Sequence, residues 1–344
     1  MKRIVFLVFF VLVSMALKAQ LDAQFTLFPW ASSYYNPGAV GMQNNTLCFT
    51  GIFANQNTAF RTTPDENGNT PPSEVFEGIR DYLVNAEFYS RKIRGAIGLS
   101  FLNDEIQAEH NIAVRLGYTY RMKLGGGDFG VGFQANLFNQ TNKSWVWIPG
   151  EEGDPDVDKL RNKSMSKMFL DFNLGLHYRA ETWEVGASVV NLLGTDVSIT
   201  LSGEENSKLA RQLYIHGGYI WTLPNPSWTL EPKALIKTDF STVQLDLLVL
   251  ARYNGILWTG ASYRIDDAVS VMFGARPFYN SSNNYVKGLD IGIAYGFDTK
   301  RFAYKSGGGS FGQIEVMLRY CFDLYKTETF TGYGSTRAIY KNQY

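Results

Sequence analysis

Residues 111–122 read NIAVRLGYTYRM, and their side chains alternate between apolar and polar along the stretch. Successive side chains of a β-strand point to opposite faces, so this pattern predicts a strand with one apolar and one polar face. The same alternation recurs in residues 168–178 and 311–322, and the apolar row of each stretch carries no charged residue. Because a charge on a lipid-facing row costs about 2–4 kcal/mol at the bilayer midplane, these rows favour contact with lipid.

Fourteen strands of this kind can be placed along the chain. They predict an all-β fold, a transmembrane antiparallel up-and-down β-barrel of the outer-membrane type. We predict the strands at residues 46–57, 80–90, 95–103, 110–122, 128–139, 168–179, 182–191, 209–222, 228–238, 241–253, 256–265, 267–277, 286–297 and 311–322. The longest connections, at residues 58–79, 140–167 and 192–208, all join an odd strand to an even one. Long loops at one end and short turns at the other are typical of bacterial barrels whose termini lie in the periplasm.

A secreted soluble β-sandwich or propeller is the alternative fold, since one face of each strand is also buried there. The predicted strands are close to the ~9–11 residues that a tilted membrane strand needs. The sequence also shows no repeat with a period of ~20–50 residues, which a propeller would have. We therefore expect a membrane barrel.

The first residues have the features of a secretory signal peptide. Lys2 and Arg3 precede an apolar run at residues 4–17, and Ala19 offers a cleavage site that would leave Gln20 first. No later apolar stretch approaches the ~20 residues of a spanning helix. We expect the chain to be exported and to span the outer membrane with strands, in contact with the lipid bilayer.

Charge and histidine content argue against nucleic-acid binding and catalysis. Lys plus Arg and Asp plus Glu both number 32, so no net field attracts nucleic acid. Of the three histidines, His177 and His216 fall on the predicted lumen face, with Asp171 on the strand of His177. A polar lumen network is favoured there over an acid–base or metal pair. We predict no catalytic residue, no metal site and no cofactor.

Two further motifs have simpler interpretations than ligand binding. Residues 151–158 place carboxylates at alternating positions, but they lack the glycine and the final glutamate of an EF-hand loop. The glycine triplets at residues 125–127 and 307–309 have neither the lysine nor the following helix of a phosphate-binding loop. We interpret the acidic stretch as a solvated outer loop and the triplets as connections.

The segment ahead of the first strand, from residue 23 to residue 41, is dense in aromatic residues. Its candidate partner-binding residues are Phe25, Phe28, Trp30, Tyr34, Tyr35, Asn36 and Pro37. Aromatic anchors of this density are typical of binding hot spots. We expect the segment either to plug the lumen from the periplasm or to dock on a partner protein, with a rigid lead-in to the first strand as the simpler alternative.

These features divide the chain into four parts. They are a signal peptide at residues 1–19, a periplasmic or plug segment at 20–45, the barrel at 46–322 and a periplasmic tail at 323–344. The tail has low apolar content, so it is expected either to order on binding or to remain disordered.

The only two cysteines, Cys48 and Cys321, lie in the first and last predicted strands. These strands become neighbours when the barrel closes, and the apolar rows beside the cysteines turn both side chains inward, near the periplasmic rim. An oxidising periplasm permits a disulfide there, and the chain-entropy model predicts a stabilisation of roughly 4–5 kcal/mol. The register of the two strands decides whether the sulfurs meet, so two packed thiols remain the alternative.

Several stretches resemble the PorP/SprF family. These are DAQFT at residues 22–26, YYNPGA at 34–39, GLSFLND at 98–104, NLGLHY at 173–178, GGY at 217–219, WTGASYR at 258–264 and EVMLRY at 315–320. The order of the matches along the chain is more specific than any one of them.

The resemblance implies an accessory component of type IX secretion in the outer membrane of Bacteroidota. Implied partners are the ring and translocon proteins of that system and secreted cargo with C-terminal sorting domains, including adhesins for gliding. No catalysis is implied. A porin or a specific small-solute channel is the alternative function, favoured by polar residues on the predicted lumen face such as Arg115, Gln134 and Asp246.

Overall fold

The computed structural model describes residues 23–42, 47–56, 79–106, 109–142, 165–195, 209–281, 288–299, 312–322, 329–330 and 337–338. The predicted signal peptide, the acidic stretch 151–158, the glycine triplet 307–309 and most of the predicted tail lie outside these residues. Within the described part of the chain, no helix is long and apolar enough to cross a membrane.

Fourteen antiparallel strands form the wall of the molecule. They are β1 (Leu47–Gln56), β2 (Ile79–Ser90), β3 (Gly95–Ile106), β4 (Glu109–Leu124), β5 (Gly127–Asn142), β6 (Met165–Arg179), β7 (Trp183–Val190), β8 (Gln212–Tyr219, continued by Trp221–Thr222), β9 (Trp228–Thr238), β10 (Val243–Tyr253), β11 (Leu257–Arg264), β12 (Ala268–Ala275), β13 (Leu289–Asp298) and β14 (Gln313–Phe322). Each strand pairs with its neighbours in sequence, and β14 pairs with β1, which closes the barrel. The predicted fold class and strand number are confirmed.

Alternation along the strands separates an outer apolar face from an inner polar one. In β4 the side chain of Leu116 is 58% exposed, while that of the preceding Arg115 is 3% exposed. In β14 Leu318 is 55% exposed and Arg319 is 4% exposed. The outer rows therefore suit a lipid environment, and the charged and amide side chains face the lumen.

The two ends of the barrel differ in their connections. The end that carries the hairpin at Asn254-Gly255 is called the turn end, and the opposite end, with the longest connections, is called the loop end. Both residues of that hairpin have positive φ, 50° and 68°, as the predicted turn requires. We expect the turn end to face the periplasm.

Observed strand ends differ from the predicted ones by up to three residues, and one strand is also interrupted. The eighth strand was expected to be continuous over residues 209–222, but it begins at Gln212 and is interrupted at Ile220. The N–H of Ile220 donates to the carbonyl of Thr182 at 2.6 Å, outside the ladder with β9. This bond continues the register with β7, in which Trp183 lies opposite Tyr219. Pairing with β9 resumes at Trp221 in an unchanged register, which sets Pro232, a residue without an N–H, opposite Tyr219 at the break.

Candidate functional site

Residues 23–42 lie inside the barrel and are called the plug. They fold into a 3₁₀ turn at Phe28–Trp30, a single α-helical turn at Ser32–Tyr35 and a second 3₁₀ turn at Pro37–Ala39. Proline begins the last turn, where its fixed φ suits a helix start and its missing N–H costs nothing. Turns this short bury few apolar groups by themselves, so the wall of the lumen supplies most of their packing.

Asn36 fixes the shape of the last turn and ties it to the wall. Its Oδ1 accepts a hydrogen bond from the N–H of Gly38 at 2.8 Å, which caps the turn. Its Nδ2 donates to the carbonyl of Leu176 on β6 at 2.9 Å and lies 3.0 Å from Nε2 of His216 on β8. One amide therefore holds the turn to two strands.

The plug runs along the lumen from one end to the other. At the loop end, Nε2 of Gln56, the last residue of β1, donates to the carbonyl of Gln24 at 3.1 Å. Near the turn end, Nε1 of Trp30 donates to Oδ2 of Asp290 at the start of β13, also at 3.1 Å. The plug therefore traverses most of the strand length.

Glu315 of β14 accepts hydrogen bonds from the backbone near the start of the plug. Its two carboxylate oxygens accept the N–H groups of Thr26 and Leu27 at 2.5 and 2.9 Å. The side chain is 1% exposed, and a carboxylate this buried needs such donors to offset its lost hydration. The same contact satisfies two backbone groups that no strand or helix would pair.

Two tryptophans join the plug to the wall near the turn end. The rings of Trp30 and Trp258 stack with centroids 4.5 Å apart. Both indole N–H groups donate to Asp290, whose oxygens lie 3.1 and 2.9 Å from the two nitrogens. A single carboxylate thus orients one ring from the plug and one from β11.

Arg115 on β4 holds the middle of the plug. Its Nη1 donates to the carbonyl of Tyr34 at 3.0 Å, and its guanidinium lies 4.0 Å from the centroid of the Tyr34 ring. On β7, Oγ of Ser188 donates to the carbonyl of Tyr35 at 2.7 Å. The α-helical turn is therefore held by two strands of the wall.

A patch without side chains receives the Asn36–Ala39 region. A Cβ on Gly132 of β5 would lie 2.2 Å from the carbonyl carbon of Pro37, and one on Gly175 of β6 would lie 2.0 Å from Oδ1 of Asn36. These separations are far shorter than the ~3.5–4.0 Å of an ordinary contact. Glycine at these two positions lets the plug backbone lie directly on the sheet.

All seven candidate partner-binding residues are in the plug and all are buried, namely Phe25, Phe28, Trp30, Tyr34, Tyr35, Asn36 and Pro37. Their side chains pack against the lumen wall or one another, which is the first of the two arrangements expected for this segment. Contact with a partner through them would require the plug to leave the barrel. A binding role for these residues stays a prediction.

The histidines on the lumen face form part of a polar cluster. His177 Nδ1 lies 3.4 Å from His216 Nε2, and Lys233 Nζ lies 2.6 Å from Oε1 of Glu184 beside them. Asp171 is not in this cluster; its Oδ1 accepts the N–H of Leu193 instead, at 2.9 Å. Among the described residues no group of three or more histidine, cysteine or acidic side chains could hold a metal ion.

The two cysteines meet at the seam where the barrel closes. Cys48 of β1 lies directly opposite Cys321 of β14, with Cα atoms 4.1 Å apart and sulfurs joined at 2.17 Å. The structure thus gives the register that the sequence left open. Oxidation of the pair in the outer membrane stays a prediction.

Several residues that build the site were not recognised in the sequence. Glu315, Asp290 and Trp258 bind the plug, yet they lie 228 or more positions beyond Trp30 in the chain. A signal existed for the carboxylates, because each falls on the inner row of its strand. Gly130 and Gly132 gave a second signal, since they occupy adjacent positions of the inner row of β5.

Comparison with known proteins supports this architecture. A family model described as type IX secretion system membrane protein PorP/SprF matches residues 17–320. No curated protein matches the sequence significantly. Among solved structures, the toluene transporter TbuX of Ralstonia pickettii superposes with a TM-score of 0.50 at 10% identity, over 88% of this chain and 96% of TbuX. The P. putida toluene transporter TodX gives 0.50 at 11%, over 85% and 93%. At these identities the likeness shows the fold alone, that of an outer-membrane barrel.

Proposed function

This chain belongs to the PorP/SprF family of type IX secretion system membrane proteins, and from that premise we propose that it is an accessory component of secretion in the outer membrane. In this role it supports export or surface attachment of cargo with C-terminal sorting domains. It acts through contacts with the ring and translocon proteins of the system and with that cargo. Catalysis is not part of the role.

The observation that carries the proposal is the plug. It runs along the lumen and is bonded to the wall near both ends, through Gln56 and Asp290. A lumen occupied in this way restricts the diffusion of small solutes. A barrel of this form is better suited to presenting surfaces to other proteins than to passing solutes.

A solute channel is the second candidate, and the polar lumen favours it. Asp246 binds Lys237 at 2.8 Å and Arg264 at 3.1 Å, so charges line the lumen as they do in porins. In this barrel, however, these charges neutralise one another, because Arg264 also pairs with Asp267 at 2.9 Å. Toluene transport, the activity of TbuX and TodX, is not carried over, because their likeness to this chain concerns the fold alone.

The test combines conductance with co-purification. The full chain is expected to give little steady conductance in a planar bilayer and to bring secretion components with it from native membranes. Trp30→Ala removes the stacked ring and the bond to Asp290, so it should produce openings. Trp221→Ala is the matched control, since that tryptophan is 57% exposed and lies outside the plug.

Two results would contradict the proposal. The first is a wide and steady pore formed by the unmodified chain, with no secretion component among the co-purified proteins. The second is unimpaired cargo secretion in cells that lack the chain. Equal conductance of the Trp30 and Trp221 variants would show instead that the plug is not what closes the lumen.

A further inference from the structure

A cavity of about 750 Å³ lies at the turn end, between the plug and the turns that join the strands there. Phe28 and Trp30 of the plug form part of its lining, and the exposed turn residues Pro226 and Asn254 lie at its edge. This volume lies within the ~300–1,000 Å³ typical of ligand sites. Because the plug occupies the lumen beyond it, we treat the cavity as a binding site and not as the entrance to a channel.

The cavity is lined by more cations than anions. Five basic side chains contribute to the lining, Arg179, Lys233, Arg252, Arg276 and Arg319, against three carboxylates, Glu184, Glu231 and Asp290. Two of the carboxylates already have a cation, Lys233 at 2.6 Å from Glu184 and Arg252 at 2.6 Å from Glu231. The third, Asp290, accepts hydrogen bonds from the indole N–H groups of Trp30 and Trp258.

Two arginines on one side of the cavity form no ion pair with a described residue, although Glu87 and Asp290 lie near enough to Arg319 to attract it. Arg319 is 4% exposed, its Nε donates only to the sulfur of Cys321 at 3.2 Å, and its Nη2 has no hydrogen-bond partner there. Arg276 stacks on the ring of Tyr279 at 4.4 Å and forms no ion pair with a described residue. A buried guanidinium that no carboxylate contacts is costly, so this wall is suited to an incoming anion.

From these features we propose that the cavity is the docking site for an acidic, aromatic-containing segment of a protein partner that approaches from the turn end. A carboxylate of that segment pairs with Arg319 and Arg276, and an aromatic side chain packs beside Tyr279. Tryptophan, tyrosine and arginine dominate protein-binding hot spots, which favours a protein segment over a free small anion. The inference rests on the proposed function, because it names the chemistry by which a secretion partner is recognised.

The test measures binding of fluorescent peptides to the full chain in detergent by anisotropy. The probe is a seven-residue peptide of alternating glutamate and phenylalanine, and its counterpart carries glutamine in place of each glutamate. We expect the acidic peptide to bind on the order of tenfold or more tightly than the amide peptide, with an affinity that falls as salt is raised. Arg276→Gln and Arg319→Gln should each remove a similar factor.

Arg211→Gln is the matched control, since the Nε of Arg211 donates to the carbonyl of Leu192 near the loop end, away from the cavity. Heat-modified mobility on gels verifies that each variant folds. If the Arg319 variant does not fold, the Arg276 variant still tests the proposal, because Arg276 is only half-buried. Equal binding of the two peptides, or equal loss in the Arg211 variant, would overturn the proposal. If phosphate displaced the acidic peptide and bound with the same millimolar affinity, the cavity would bind adventitious ions only, and the proposal would fail.

Three further outcomes complete the test, and the last two separate this inference from its premise. Binding that arises only when the chain is truncated after Phe322 would assign the cavity to the chain's own tail and overturn docking of a partner. Failure of peptide binding while secretion components still co-purify would refute the cavity and leave the proposed function standing. Specific peptide binding without any effect of the chain on secretion would refute the proposed function.

Discussion

Gly132→Ala is expected to displace the plug from the lumen wall while leaving the barrel intact. The added Cβ would lie 2.2 Å from the carbonyl carbon of Pro37 and 2.4 Å from the N of Gly38. Both atoms belong to the plug backbone and cannot rotate away as a side chain can. To reach an ordinary separation of ~3.5 Å, the turn must move by more than about 1 Å.

The size of the effect follows from the cost of overpacking. Inserting a methyl group into a filled site costs about 1–3 kcal/mol. This free-energy cost applies only while the plug is packed against the wall, which we call the seated state. It therefore lowers the ratio of seated to unseated molecules by roughly 5- to 150-fold. The barrel itself is less affected, because the hydrogen bonds between β5 and its neighbours do not involve the Cβ position.

Chymotrypsin digestion of the folded protein measures the unseated fraction. The plug offers aromatic cleavage sites such as Phe25 and Tyr34, which are buried while the plug is seated. Where opening is fast relative to cleavage, the cleavage rate follows the open population, so it should rise by the same factor. Planar-bilayer openings should become more frequent in parallel.

Gly51→Ala is the matched control for this substitution. It adds the same methyl group to a strand glycine of the barrel wall, but its nearest neighbour would be the carbonyl oxygen of Leu318 at 3.9 Å. Its cleavage rate should equal that of the unmodified chain. A folded Gly132 variant with unchanged cleavage and unchanged conductance would refute the idea that bare backbone seats the plug.

Three other variants test separate contacts. Replacing both Cys48 and Cys321 with alanine should lower the free energy of unfolding by up to about 5 kcal/mol in the chain-entropy model, measured by heat-modified gel mobility. Treatment of the unmodified chain with a reductant should give a similar loss, and free thiols on both residues in native membranes would contradict the bridge. Trp258→Leu removes the ring that stacks on Trp30 of the plug, so about 0.5–1.5 kcal/mol should be lost from plug binding, visible as faster chymotrypsin cleavage. Arg115→Leu leaves the carbonyl of Tyr34 without its donor and should act in the same direction; an unchanged cleavage rate in either variant would show that the contact does not hold the plug.

The strands could be predicted because their signal is local. In residues 111–122 the alternation alone distinguishes the face toward lipid from the face toward the lumen, and the structure exposes Leu116 while burying Arg115. Strand ends were less accurate, as β4 extends to Leu124 and β8 begins only at Gln212. Ends depend on how far pairing with a neighbour continues, and that is a property of the sheet.

The site was predictable only in part, because it consists of contacts between distant residues. Aromatic density identified the segment that contains Trp30 and Tyr34, but it did not distinguish burial in the lumen from contact with a partner. That distinction depends on the volume left inside the closed barrel and on which inner side chains meet the plug. Glu315, which holds the N–H of Thr26, lies 289 positions away in the sequence.

The cysteine pair shows where strand geometry reaches its limit as a predictor. Closure of the barrel alone makes the strands of Cys48 and Cys321 neighbours, and period-two alternation turns both side chains inward. Register is then needed, since a shift of one residue would move one of the two to the opposite face. In the structure the register pairs Leu47 with Phe322 and therefore Cys48 with Cys321. The same register sets Ala54 opposite Glu315 and so fixes the height at which that carboxylate meets the plug. The register between β1 and β14 thus positions both the disulfide and the Glu315 contact with the plug, and a shift of that register would disrupt both.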